Sequence, residues 1–174
     1  MSFNALPPEL ILIIGEHCPS QGCLLALSIT NKYHNQLLTR LLIPFNIKHD
    51  RSSGLTYAAK RNNIPLAMKF LDAKADPDTR VVTHTEAHAV HDSAEFQQIE
   101  ESGMLETPLY LAVSGRFEEM VNLLLQHGAD PWTVAWRGGY PNALCIAIAD
   151  RETEIMKALL KVIVLAAGFV KLPS

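Results

Sequence analysis

The sequence has little surplus charge, few cysteines, few aromatic residues and no long hydrophobic run. Fifteen Lys and Arg stand against eighteen Asp and Glu, a net charge of −3. The basic residues are scattered, so no positive stripe exists to neutralise phosphates, and nucleic acid is not an expected partner. No Lys or Arg precedes Lys32, so the apolar run Leu10 to Ile14 lacks the basic flank of a secretory signal and is too short for one. The longest apolar run, Val162 to Val170, covers nine residues between Lys161 and Lys171, whereas a membrane-spanning helix needs about 20; no transmembrane segment and no membrane partner are expected. Cys18, Cys23 and Cys145 are an odd set without CxxC spacing. They read as buried thiols in a reducing compartment, which places the chain in the cytoplasm or nucleus.

Hydrophobic residues make up 48% of the 174 and charged residues 19%, a balance that folds. A chain of this length buries roughly 70% of its extended-state surface, so a core is available.

Internal repetition organises most of the chain. Thr107-Pro-Leu-Tyr-Leu-Ala-Val is followed by Met120-Val-Asn-Leu-Leu-Leu and then by Gly128-Ala-Asp-Pro131. Thr107 can cap the first orphan amides, and Pro108 sits at the first helical position, where its missing N–H costs nothing. Met120, Val121, Leu124 and Leu125 form an apolar stripe, and Gly128 supplies a left-handed stop. The pattern returns 35 residues later as Asn142-Ala-Leu-Cys-Ile-Ala-Ile and Ile155-Met-Lys-Ala-Leu-Leu160. It also occurs 54 residues earlier as Ser53-Gly-Leu-Thr-Tyr-Ala-Ala59, Leu66-Ala-Met-Lys-Phe-Leu71 and Ala75-Asp-Pro77.

These residues resemble the ankyrin repeat, whose pattern T-P-L-H-x-A, apolar L-L helix and G-A-D is nearly complete in residues 107–131. The resemblance implies repeats at about 53–77, 107–131 and 142–165 in a domain spanning 53–174. The spacing of 54 is then the usual 33 plus an insertion of about 21 residues, placed within 78–103. Copy one departs from the pattern with Lys74 in place of glycine and with Pro65 near its second helix. Copy three lacks Gly-Ala-Asp and runs on through Val162 to Val170, an apolar end with no polar capping repeat. That segment can fold back, be covered by a partner or second subunit, or belong to a longer array.

Residues 4–46 differ in texture: Leu6-Pro-Pro-Glu-Leu-Ile-Leu-Ile-Ile14, then Leu24-Leu-Ala-Leu-Ser-Ile-Thr-Asn-Lys-Tyr-His-Asn-Gln-Leu-Leu38, with Pro44 as a stop. Two or three helices fit, with the turn at Pro19 to Gly22, and the bundle has more apolar surface than it can bury. The order resembles the F-box, whose first helix opens L-P-x-E-L/I-L/I-x-x-I; Leu6, Pro7, Glu9, Leu10, Ile11 and Ile14 match it. Leu24 to Lys32 looks like the family's second half, as in fungal proteins that join an F-box to ankyrin repeats. Cys18, Cys23 and Ile43 depart from the family pattern.

The two resemblances imply an all-α protein: an F-box-like bundle at 1–46, a short linker near 47–52 and the repeat solenoid. They imply an adaptor whose Leu6, Pro7, Glu9, Leu10, Ile14, Leu24 and Leu27 bind the Skp-type linker of a cullin-RING ubiquitin ligase while the repeats bind a target. Two alternatives stay open: residues 4–46 as a helical cap on the stack, and an ankyrin scaffold or regulator with no ligase link.

Little in the sequence suggests chemistry. His84, His88 and His91 lie near Glu86 and Asp92, but without cysteine or HExxH a solvated insertion is the better reading, and neither metal nor cofactor is expected. No GxSxG elbow or phosphate-cradling loop occurs, so the chain is not expected to be an enzyme. The segment Pro131 to Tyr140 gathers Trp132, Trp136, Arg137 and Tyr140 in the inter-repeat hairpin. Trp, Tyr and Arg dominate binding hot spots, so these four are the expected target contacts, with inward packing of a tryptophan as the alternative.

Overall fold

The computed structural model describes residues 6–82, 105–135 and 140–166. The fold is all-α, with nine helices and a single pair of two-residue strands among the described residues. It divides into two compact units, Met1–Gly54 and Leu55–Ser174.

The first unit holds α1 (Pro8–Glu16), α2 (Gln21–Ser28) and α3 (Lys32–His49). Pro8 occupies the first turn of α1, where no amide is needed. Ser20 Oγ accepts from Cys23 N at 3.2 Å to cap α2, and Asn31 Oδ1 accepts from His34 N at 2.8 Å to cap α3. Ile11, Leu24 and Leu38, one from each helix, are fully buried and form the centre of the core. The helices approach closely at Gly15, where a Cβ would lie 2.6 Å from Leu38 Cδ2 and 3.3 Å from Leu24 Cδ1.

Pro44 does not stop the helix as its sequence context suggests; α3 continues to His49 through what reads as the start of a linker. The proline removes one bond, to the Arg40 carbonyl, at a point where both residues are exposed and water can replace it. Continuation brings Asn46 into a buried position. Its Nδ2 donates to Gln21 Oε1 at 2.8 Å and to Ser53 Oγ at 2.9 Å, while its Oδ1 accepts from Gly54 N at 3.0 Å.

The second unit is a series of helix pairs: α4 (Ser53–Lys60, starting at the boundary) with α5 (Ile64–Asp72), α6 (Pro108–Ser114) with α7 (Glu118–Gln126), and α8 (Ala143–Ala149) with α9 (Thr153–Ala166). Thr107 Oγ1 accepts from Tyr110 N at 3.2 Å and Asn142 Oδ1 from Cys145 N at 3.0 Å, the two caps expected. Pro65 falls in the first turn of α5, behind the Asn63 cap, and is accommodated there.

The backbone repeats with the sequence. Each pair turns through a left-handed residue: Asn62 (φ 52°), Arg116 (φ 59°) and Arg151 (φ 58°). The following amide donates to the fifth residue back in all three: Asn63 to Ala58, Phe117 to Ala112 and Glu152 to Ala147. The second helices of the first two pairs end at the left-handed Lys74 (φ 66°) and Gly128 (φ 90°). Lys74 therefore carries the strained conformation that glycine relieves in the second copy. Leu55, Leu109 and Leu144 occupy one position in the three copies, Ala58, Ala112 and Ala147 another, and all six are buried. Strands β1 (Val81–Val82) and β2 (Leu105–Glu106) pair antiparallel, Val81 with Glu106 and Val82 with Leu105.

Candidate protein-binding surfaces

On the first unit, α1 has two faces of opposite fate. Ile11 is wholly buried, whereas Leu10, Ile13 and Ile14 remain 46%, 50% and 40% exposed. Glu9 and Pro7 are exposed beside them, and Leu6 is partly buried against the core. The apolar exposure continues on the unit through Leu25, Ile29 and Tyr33. Leu24 and Leu27 separate from the other residues expected to bind a linker. Leu24 is fully enclosed, and Leu27 is partly buried against Ile11, Leu24 and Leu38, so both shape the bundle from within. A three-residue hydrophobic face that no described residue of its own unit covers is the kind of surface that marks an interaction site.

On the second unit the candidate surface is the turn-and-hairpin edge between copies. Trp132 and Tyr140 are exposed, as expected for contact residues, and Val134, which sequence reading missed, is exposed with them. Trp136 and Arg137 lie outside the described residues. Asp130 Oδ1 accepts from Trp132 N at 2.9 Å, which fixes the turn that carries the tryptophan. The Tyr110 hydroxyl donates to the Tyr140 carbonyl at 3.4 Å, and Ala135 N donates to Pro141 O at 2.9 Å, closing the hairpin base.

Successive turns are tied to each other by Asp78, which occupies in copy one the position of Trp132 in copy two. Its two carboxylate oxygens accept from Asp130 N at 3.0 and 3.2 Å. Burial pushes the Asp78 carboxyl above its ordinary value. The Asp130 amide opposes this, the charges of Asp76 and Asp130 reinforce it, and the Thr133 side chain opposes it. A raised native pKa means that ionisation costs stability above the ordinary carboxylate range, and that this cost disappears as pH falls through the raised value to the ordinary one. Asp78→Asn retains an acceptor for Asp130 N without the charge. It is expected to raise the thermal midpoint by a few degrees at pH 7 and to leave it unchanged at a pH below the ordinary carboxylate range, as read by thermal unfolding at the two values.

Arg116 adds a second tie, between the turn of copy two and that of copy three. Its Nε lies 3.0 Å from Glu152 Oε1 and its guanidinium 3.8 Å from Asp150. Arg116 is largely exposed, so the pair contributes little to stability.

No group of His, Cys, Asp or Glu that could hold a metal occurs among the described residues, and His84, His88 and His91 lie outside them. All three cysteines are free, but the sequence expectation that they are buried needs correction: Cys23 is exposed, and Cys18 and Cys145 are half-buried. Cys18 lies between α1 and α2, at the edge of the first unit's core, Cys23 in the first turn of α2, and Cys145 on α8. No helix among the described residues is long and apolar enough to cross a membrane.

The paired helices, the left-handed inter-helix turns and the Gly128-Ala-Asp stop find their counterpart in a known family. The ankyrin-repeat model matches residues 104–135. Those residues are an ankyrin repeat. The match covers β2, α6, α7 and the Trp132 turn, and takes in none of residues 6–49. No curated protein matches the chain. Ankyrin-repeat proteins are typically non-enzymatic interaction modules, and the repeat supports a role in protein–protein interaction.

Proposed function

We propose that this chain is an adaptor, in which the first unit docks on the Skp-type linker of a cullin-RING ubiquitin ligase and the ankyrin repeats hold the protein to be modified. The observation that carries the reading is the division of α1. The residues that match the F-box opening fall into a buried Ile11 and an exposed, hydrophobic Leu10 and Ile14, with Ile13 between them. Full burial of a large aliphatic side chain is worth roughly 1.5–3 kcal/mol, and these three are about half exposed, so a partner surface covering them would recover about half of that for each. On the repeats, Trp132 and Tyr140 have the exposure that target contacts require, and Trp136 and Arg137 complete the proposed set.

A scaffold without a ligase link is the second reading, favoured by a family match confined to residues 104–135. Co-expression with the Skp-type linker separates the two. The adaptor predicts a one-to-one complex on size exclusion that is lost in a Pro7→Ala, Leu10→Asp variant. A folded chain that stays separate from the linker would leave the scaffold.

A further inference from the structure

We infer that the segment held by the repeats is basic: an arginine of the target stacks on Trp132 beside the carboxylates of Asp78 and Asp130, and an adjoining aliphatic residue rests on Val134 and Tyr140. This rests on the proposed role of Trp132 and Tyr140 as target contacts and gives that target a chemical class.

Two turns of one pattern build this surface. Copy one has Asp76-Pro-Asp-Thr-Arg80 and copy two Asp130-Pro-Trp-Thr-Val134. In each, the aspartate side chain accepts from the amide two residues on, at 2.9 Å, and so presents the third residue. That residue is where the copies differ. In copy two it is an indole, 53% exposed, with Val134 and Tyr140 on the same hairpin at 51% and 41%. In copy one it is Asp78, whose carboxylate reaches across to Asp130 N and to the Thr133 side chain, the two residues that bracket Trp132 in its turn. Asp78 also feels the charges of Asp76 and Asp130, so three carboxylates gather at the turn that presents the indole. None of the three forms an ion pair with a lysine or arginine among the described residues, although Lys74 and Arg80 are exposed on the same stretch of chain.

Charge complementarity then selects the occupant. The face of an indole is the best side-chain platform for a cation, and uncompensated carboxylates beside it add to the attraction. A guanidinium is planar, stacks on aromatic faces and meets carboxylates through paired hydrogen bonds, which a lysine ammonium does not. An acidic or phosphorylated segment would be repelled here. A purely apolar segment would cover Trp132 but leave the neighbouring carboxylates desolvated without a counter-charge.

Fluorescence anisotropy of the full chain with three labelled peptides is the test, leucine alternating with arginine, with glutamine or with glutamate. The arginine peptide is expected to bind saturably, about tenfold or more tighter than the glutamine peptide, and to weaken as salt is raised. Asp78→Asn, Asp130→Asn keeps the acceptors of both turns and removes two charges. With its thermal unfolding intact, this variant is expected to bind the arginine peptide no better than the glutamine one. Trp132→Ala is expected to weaken the arginine peptide by about tenfold. Glutamine or glutamate peptides that bind as well as the arginine one, and lose binding in Trp132→Ala, overturn the basic class and leave Trp132 a target contact. Binding of the arginine peptide that survives both variants overturns the inference, and so does its failure to bind. Complex formation with the linker involves none of these residues and decides the adaptor reading separately.

Discussion

Ile11→Asp is expected to unfold the three-helix bundle, and Leu10→Asp, one residue away, to leave it folded. Ile11 is fully buried between Leu24 and Leu38, so the new carboxylate would have neither water nor a cation to receive it. Burying an unpaired charge costs several kcal/mol, a large part of the 5–15 kcal/mol that holds a typical domain together. Leu10 is 46% exposed and its substitute can be hydrated where it stands. Far-UV circular dichroism with urea titration of the full chain checks both: Ile11→Asp should lose the helical signal of α1–α3, and Leu10→Asp should shift the midpoint only slightly. A Leu10→Asp chain as unstable as Ile11→Asp would mean that the outward face of α1 is in fact core.

Leu124→Ala is expected to destabilise the repeat unit by about 2–5 kcal/mol, the range for deleting a buried leucine and leaving a cavity. Leu124 is fully buried on α7, and its carbonyl accepts from Ala129 N at 3.0 Å at the helix stop. It belongs to the central pair, which packs against α5 on one side and α9 on the other. Repeat arrays are held by neighbour interfaces, so damage at the centre is felt by both flanks. Urea unfolding followed by tyrosine and tryptophan fluorescence should show a lower midpoint for the whole repeat unit. A change limited to α6 and α7 would argue against coupling along the stack.

The repeats were legible because their signals are local. Thr107, Asn142 and Gly128 act within one or two turns of their own positions, and each does in the structure what its residue type predicts. The apolar stripes at 120–125 and 155–160 likewise follow from helical periodicity. What sequence reading missed depends on partners far along the chain. Asp78 looks like an ordinary turn aspartate until Asp130, 52 residues on, is placed beside it. Asn46 looks like the tail of the bundle, two residues past a helix stop, until α3 runs past Pro44 and carries it to Gln21 and Ser53. Leu24 shows why helical spacing alone cannot separate a docking residue from a core residue: both are leucines on an amphipathic helix, and only the third dimension decides which one water reaches.

The short pairing of Val81–Val82 with Leu105–Glu106 has a consequence for how this chain can change over time. It brings the departing and returning strands side by side, so the stretch between them begins and ends at one place on the stack. Loop closure depends only logarithmically on length, about 0.6 kcal/mol for each doubling. Residues can therefore be gained or lost between the paired strands without altering how α5 meets α7. Variation in size is confined to a site where the rest of the architecture does not register it, and relatives with very different numbers of residues at this junction can share one arrangement of helices.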